Sequence, residues 1–529
     1  MTVIFLSLNI FGFYPALSQQ IYQRVICCSI ACVEDPMENG TLLAAVDLGS
    51  NSYRLEIARF VHGQIQRVEY LKESIRQGSG LDEERRLRPE AMQVGWDCLA
   101  RFGERLAGLQ KHQVRAVATQ TLREAKNRDD FLQRANQILG FPIDVISGPE
   151  EARLIYQGVS RLLPISNERR LVVDIGGRST EMILGQGYQP HVMASYRVGS
   201  VAWSMKYFPD GLLTEQSFAT AEVAAKAVLD EALDSHSRST WDVAYGSSGT
   251  VGAVADILQA AGEPFGTVSR RGLAWLKDRL IKAGHVDKVR IEGMKEDRRP
   301  VLGGGVSVLS AIFDLLDIDV MHVAQGALRQ GVVYDLLDRE LPQTDLRAQT
   351  VQSLQERFQV DRAQAERVCE AAMAFHHQIE PNGNERAERK LGWVSSLHEI
   401  GFQIAHTDYH RHGAYILDNT DAPGFSLPEW HHLGQLLLGH RGKVRKLDTD
   451  FENEAFVKQL MCLRLAVLLC HARRTPSLSP LQLSHQGKTF HLKASTQWAQ
   501  QFPQSAHLLR EETVLWQKTG WELGLDFHD

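Results

Sequence analysis

Three short apolar runs in this chain each empty into a loop of small and hydroxyl-bearing residues, and each loop has the makings of a phosphate cradle. Leu42-Leu-Ala-Ala-Val46 leads into Asp47-Leu-Gly49-Ser50-Asn51-Ser52. Leu171-Val-Val173 leads into Asp174-Ile-Gly176-Gly177-Arg178-Ser179-Thr180-Glu181, and Val243-Ala-Tyr245 into Gly246-Ser247-Ser248-Gly249-Thr250. Small residues directly after a strand let several backbone N–H groups converge on one spot, where phosphate oxygens bind and hydroxyls add donors. One such loop alone reads more readily as an ordinary tight turn with Asp as a turn residue. Three of them, each directly after an apolar run, reverse that preference. The Gly-x-x-x-x-Gly-Lys-Ser/Thr signature is absent from the sequence, so this is not a P-loop nucleotide hydrolase.

Carboxylates flank these loops. Asp47 and Asp174 sit at strand ends, where a hard divalent cation is held between protein and phosphate oxygens. Glu181 follows the second loop and can join Asp174 or stand as an exposed strand carboxylate. In Ser147-Gly148-Pro149-Glu150-Glu151 the spacing of Ser147 and Glu150 is that of a capping box, which gives Glu150 a structural task. Glu151 is left without one on the first turn. It can complement the helix dipole, or it can orient and deprotonate a water molecule. Arg123, after Thr119-Gln-Thr-Leu, can offer its planar fork to a phosphate or form a surface ion pair.

The elements that must position these groups follow from periodicity. Apolar strands alternate with helices, and the strand-to-glycine-loop unit recurs, which predicts an α/β protein with two related lobes. Leu55, Ile57 and Phe60 continue a second strand toward a turn at His62-Gly63. Pro89 opens a helix whose apolar residues Met92, Leu99, Phe102, Leu106 and Leu109 recur at helical spacing. Beyond about residue 340 the pattern turns helical and rich in histidine as far as about Arg474. Leu481 to Ala494 then alternates around Gln486-Gly487-Lys488, a hairpin signal. The expected division is an N-terminal extension over 1–40, lobe I over 41–155, lobe II over 156–338, a helical domain over 345–474 and a small α+β piece over 475–529.

The totals narrow the class. A chain of 529 residues exceeds one hydrophobic core. A net charge of −6 speaks against a general nucleic-acid coat while leaving room for a local basic groove. The seven cysteines show no paired framework and no metal-ligand spacing, which reads as reduced thiols in a cytoplasm. Val3 to Leu17 is mostly apolar, yet no Lys or Arg precedes it and it is short for a membrane span. A mis-called start, with Met37 as the true one, or a disordered extension is preferred to a weak signal peptide.

Six motifs now stand in order: the Asp47, Thr121-Leu-Arg123, Ser147-Gly-Pro-Glu-Glu-Ala-Arg153, Asp174, Gly246-Ser-Ser-Gly-Thr250 and Gly326-Ala-Leu-Arg329 segments. Together they resemble the exopolyphosphatase / guanosine pentaphosphate phosphatase (Ppx/GppA) family from about residue 42 onward. The resemblance implies two actin-like ATPase (RNase H-like) lobes. It matches Glu151 to the family's general base, Asp174 and Glu181 to its metal-associated acids, the three loops to its phosphate loops, and Arg123 to a cleft arginine. Mg²⁺ at Asp174, Glu181 and Asp47 is the implied metal, with K⁺ as a second ion to consider, and a homodimer is the implied assembly. Arg178 departs from the small residue usual at its position. It either crowds the phosphate or points out of the turn and adds positive charge to an anion path.

The helical segment is similar to the exopolyphosphatase version, whose third domain is HD-like. The expected His-Asp position reads His398-Glu399, which implies an inactive HD fold. His406, His410, Arg411, His412, His440, Arg441, Lys443 and Arg445 can line a polyanion path or form a solvated face. The expectation is therefore an exopolyphosphatase acting on inorganic polyphosphate, with guanosine pentaphosphate (pppGpp) hydrolysis as the alternative. A kinase or ATP-driven chaperone of the same superfamily fits the Glu pair and long extension poorly. A non-catalytic sensor is disfavoured by Glu151, Asp174 and Glu181 occurring together. Neither nucleic-acid binding nor stable membrane insertion is expected.

Overall fold

The computed structural model describes residues 40–528 apart from 62–63, 165, 341–345, 384, 421, 445–446 and 448–450. The expected N-terminal extension, with Met37, and the His62-Gly63 turn lie outside the described residues.

In lobe I, β1 (Leu42–Leu48) pairs antiparallel with β2 (Ser52–Val61), which pairs with β3 (Gln64–Ser74). On its other side β1 runs parallel to β4 (Val114–Ala118), and β4 to β5 (Ile143–Val145), for an order β3-β2-β1-β4-β5. β1 is apolar on both faces because it is covered on both. Its alternation sends Ala44 and Val46 into the core of lobe I, and Leu43 and Ala45 into a second core shared with lobe II. The helix α1 (Pro89–Leu106) starts with proline in its first turn and buries Met92, Leu99, Phe102 and Leu106 against the outer face.

Lobe II repeats the plan. β6 (Arg169–Ile175), β7 (Thr180–Gln186), β8 (Gln189–Tyr196), β9 (Val243–Ser247), β10 (Thr267–Ser269) and β11 (Val320–Val323) order as β10-β11-β9-β6-β7-β8. Without the antiparallel edge strand β10, the order β8-β7-β6-β9-β11 reproduces lobe I strand for strand. This duplicated sheet is the arrangement of actin-like ATPase lobes.

Two helices occupy the space between the sheets. α2 (Gly148–Ser160) has every residue from Glu150 to Ser160 buried, and α3 (Leu328–Glu340) packs along it and onto β1. Val172 and Ile183 of lobe II, Val117 of lobe I, Leu154 of α2 and Val332 of α3 share one core. The crossing is close. A Cβ added to Gly331 would lie 1.7 Å from the Leu154 carbonyl oxygen, and one on Gly158 would lie 2.1 Å from that of Ala327. Only glycine permits that backbone approach. α2 runs through residue 155, where the sequence division between lobes is drawn, so its first turn serves lobe I and its last turns serve the crossing.

The helices from Leu346–Arg357 to Glu454–Leu469 form the C-terminal helical domain. It is followed by a three-stranded sheet, β12 (Gln482–Gln486), β13 (Thr489–Ser495) and β14 (Glu522–His528). The hairpin turns at Gly487, whose φ of 60° suits glycine. One hydrophobic core runs through both parts, joining Phe375, Leu437 and Leu460 to Phe490, Leu492 and Trp516.

A buried ionic network ties this domain to the lobes. Asp335 accepts from Arg115, from Arg153 at 2.5 Å and from Arg339 at 2.5 Å. Glu150 accepts from Arg153 at 2.7 and 2.9 Å and from the Gly424 backbone N–H at 2.8 Å. The capping-box reading is therefore half fulfilled. Ser147 Oγ does accept the Glu150 N–H at 3.2 Å, but the Glu150 carboxylate turns away from the N-cap. Charge-assisted bonds to buried arginine outweigh a bond to a neutral backbone N–H.

Candidate active site

The three loops meet at a cleft of about 90 Å³ between the lobes. Gly49, Ser50, Asn51 and Ser52 line it from lobe I, Gly176, Gly177 and Ser179 from the second loop, and Ser248, Gly249 and Thr250 from the third. Ser248 holds φ 110°, a strained backbone for a non-glycine residue, and caps the helix Gly249–Ala260 by accepting the Thr250 N–H at 3.2 Å. That helix aims its N-terminus at the cleft, which favours an anion there.

The sheets place the charged groups by register. Asp47 lies opposite Arg54 across β1 and β2, and Asp174 lies opposite Glu181 across β6 and β7. The same position in the two lobes thus carries an acid–base pair on one side and an acid–acid pair on the other. Arg54 Nη1 donates to Asp47 Oδ2 at 3.3 Å, while its Nε is buried without a partner. Arg298 also lines the cleft, with its guanidinium seated over Gly249 so closely that a Cβ there would lie 2.1 Å from Nη2. Burial, and less strongly the Arg54 charge, pulls the Arg298 pKa down. Two like charges on one small cleft are relieved by an anion between them.

Glu151 stands on the first turn of α2, lining the cleft. Arg123 Nη1 donates to Glu151 Oε2 at 2.7 Å and to the Ile146 carbonyl at 2.9 Å. Arg123 stands outside the residues that line the cleft and holds the Glu151 carboxylate in place. Burial raises the Glu151 pKa against the lowering pull of Arg123. Burial, with the Glu151 and Asp47 charges adding to it, pushes Asp174 up to about 7 against the Ser247 hydroxyl and Arg54. Glu181 is raised well above the carboxylate range by burial, then by Glu151 and Asp174.

Several expected contacts lie elsewhere. Glu181 is 1% exposed, accepts the Ser195 hydroxyl at 2.8 Å and sits behind the wall of the cleft. Arg178 points out of its loop, as the turn allows, but adds no free charge to an anion path. It donates to Glu124 at 2.9 and 3.2 Å and to the Gly78 carbonyl at 3.0 Å, across to lobe I. Thr180 donates to Val198 O at 2.6 Å and Ser247 to Gly326 O at 3.1 Å, and Gly246 is packed under Val251 and Met321. These three brace the loops from beneath. In the helical domain His410 and His440 are buried and held neutral by burial, and His398 is pulled down to about 4. These three form an interior cluster, so His410 and His440 drop out of the expected polyanion path, whereas His406, Arg411, Arg441 and Lys443 are exposed and His412 is half-buried; Arg445 lies outside the described residues.

Sequence reasoning missed Arg54, Thr119, Ser200 and Arg298. Strand alternation from Asp47 across the first hairpin could have found Arg54. Arg298 lies in the charged run Lys295-Glu-Asp-Arg-Arg299, far from any loop motif, and had no local signal.

The donor chemistry fits a hard cation. Among the described residues no group of three or more His, Cys, Asp or Glu side chains is placed to hold a metal alone. Mg²⁺, however, is commonly held by one or two carboxylates with phosphate and water oxygens completing the shell. Asp47 and Asp174 on the cleft wall supply that number.

A protein-family model for the Ppx/GppA phosphatase family matches residues 56–340, and one for Ppx/GppA phosphatase domain III matches 346–513. The chain is 40% identical over 491 residues to a guanosine-5'-triphosphate,3'-diphosphate pyrophosphatase of Vibrio atlanticus, covering 92% of this chain and 98% of that one. It is 39% identical over 493 residues to the Vibrio cholerae protein of the same name, again covering 92% and 98%. In structure it is similar to an exopolyphosphatase-like protein (TM-score 0.51, 24% identity, 57% of this chain and 100% of that one). It is also similar to an exopolyphosphatase from Cytophaga hutchinsonii (TM-score 0.50, 22% identity, 56% and 98%).

Proposed function

Because this chain belongs to the Ppx/GppA phosphatase family and is thus a phosphoanhydride hydrolase, we propose that it removes the terminal 5'-phosphate of guanosine pentaphosphate. The terminal phosphoryl group sits among the three glycine loops, with Arg54 and Arg298 meeting its oxygens. Glu151, oriented by Arg123, takes a proton from a water molecule as that water attacks the phosphorus in line. The P–O bond to the bridging oxygen breaks, and the shortened nucleotide leaves with that oxygen. Loop N–H groups and the two arginines stabilise the charge that builds up. Mg²⁺, held by Asp47 and Asp174, would screen the phosphate charge.

The observation that carries the reaction is a buried carboxylate fixed on the wall of a cleft lined by glycine loops and two arginines. The substrate rests on the relatives. Their shared name points to the nucleotide and moves polyphosphate, the leading expectation from sequence, to second place. Polyphosphate stays in view because the loops and Glu151 act on a terminal phosphoryl group, which both substrates carry.

The test is phosphate release from guanosine pentaphosphate and from long-chain polyphosphate, side by side with Mg²⁺, for the wild type and Glu151→Gln. The expected result is preference for the nucleotide and a loss of about 10²–10⁴-fold in kcat in the variant. Faster release from polyphosphate overturns the substrate. An unchanged kcat in Glu151→Gln overturns the base.

A further inference from the structure

A second cavity of about 350 Å³ lies where the helical domain meets the opposite end of the lobe I sheet. Its walls include Val114, Arg115 and Pro142, at the starts of β4 and β5, whereas Thr119 of the catalytic cleft follows the end of β4. The length of β4, about 3.3 Å per residue, therefore separates the two sites.

The lining is strongly cationic. Lys111, Arg115, Arg339, Arg347, Arg386 and Arg389 face it, and Asp144 is its only carboxylate among the described residues. Part of that charge is already balanced. Asp335 and Glu150 pair with Arg115, Asp335 also pairs with Arg339, and Glu429 pairs with Arg347 at 3.4 Å. The exposed side chains of Lys111 and Arg386 add positive charge at the mouth of the cavity. Arg115 adds an independent observation. It is 4% exposed, and its Nε is buried without a hydrogen-bond partner, the nearest carboxylate oxygen, on Asp144, being 3.9 Å away. A buried guanidinium N–H left unmade costs stability and marks a place where an acceptor is missing.

The volume is that of a small-molecule site, and cationic forks from four separate elements converge on it. We propose that this cavity is a second anion site, remote from catalysis, that takes the phosphoanhydride-linked phosphates of a small ligand. Arg115 reads the anion from inside, and Arg386, Arg389 and Lys111 close over it from the surface. Arg115 also reaches Glu150, the residue before Glu151, at 3.4 Å, so an anion here pulls on the helix that carries the catalytic carboxylate.

Calorimetric titration of the full chain with imidodiphosphate, a pyrophosphate analogue that resists hydrolysis, tests the site. The wild type should bind at two sites per chain. The double variant Lys111→Ala/Arg386→Ala, which alters two exposed side chains, should lose one of them or weaken it at least about tenfold, with kcat and KM unchanged when no imidodiphosphate is present. A parallel titration with guanosine diphosphate separates the sources. Equal loss for both probes means that phosphates alone are read, and a larger loss for the nucleotide means that the ligand is a nucleotide. A single site per chain in the wild type, or two undiminished sites in the variant, overturns the proposal. Because binding is read directly, failure here leaves the hydrolase reading standing, and failure of that reading leaves this one testable.

Discussion

Burial raises Glu151, Asp174 and Glu181, with the Asp47 charge adding to Glu151, the Glu151 and Asp47 charges to Asp174, and the Glu151 and Asp174 charges to Glu181, and that determines how the site responds to pH. A general base works only when ionised, so the acidic limb of kcat/KM should fall above the ordinary 4.5 of a glutamate. A pH–rate profile with its limb near 4.5 would contradict the assignment. Stability runs the other way. A carboxyl whose folded pKa exceeds its unfolded value favours folding while protonated. Its contribution is full below about 3.8 and is lost as pH rises through about 7. Asp174→Asn should therefore raise Tm by a few degrees at pH 8 in metal-free buffer, and by nothing at pH 4, while abolishing activity. Thermal melts at both values check it. The acid–acid placement follows from strand register, which sequence alternation only suggests. The identity of the acids was visible in the loops.

At the level of elements, the contact of α2 with α3 sets where Glu151 stands. Gly158 and Gly331 let the helices touch backbone to backbone, and no other residue fits. Gly331→Ala, which would help an isolated helix, should instead destabilise the protein by about 1–3 kcal/mol or more and lower kcat by displacing the first turn of α2. Urea denaturation and steady-state kinetics read the two effects. Gly326-Ala-Leu-Arg329 was legible as a motif, but its purpose was not. Ala327 and Leu328 line the cleft, and Arg329 lies 3.5 Å from Glu56.

On the scale of the whole molecule, the lobes meet on both sides of the cleft. The helix crossing holds one side of the cleft, and Arg178 braces the other by pairing with Glu124 across the gap. A double-mutant cycle of Arg178→Ala and Glu124→Ala should give a coupling of about 1 kcal/mol, the single variants raising KM more than they lower kcat. Additive effects would mean that the contact does not brace the lobes. No helix among the described residues is long and apolar enough to cross a membrane.

The sequence by itself determined the parts that are local. Small residues after an apolar strand can form few structures other than an N–H-rich loop. The two lobes show as a repeat because each must bury the same kind of sheet, and the glutamate pair marks a helix start. Tertiary structure decided what depends on distant residues meeting. Arg298 comes to the Gly249 loop from 49 positions away, Glu150 leaves its expected cap for arginines and Gly424, and Glu181 retreats behind Ser195. Arg178 turns to lobe I, and His398, His410 and His440 of the helical domain go inside. Charge–charge energies in a buried site depend on which groups packing brings together, and spacing along the chain does not encode that.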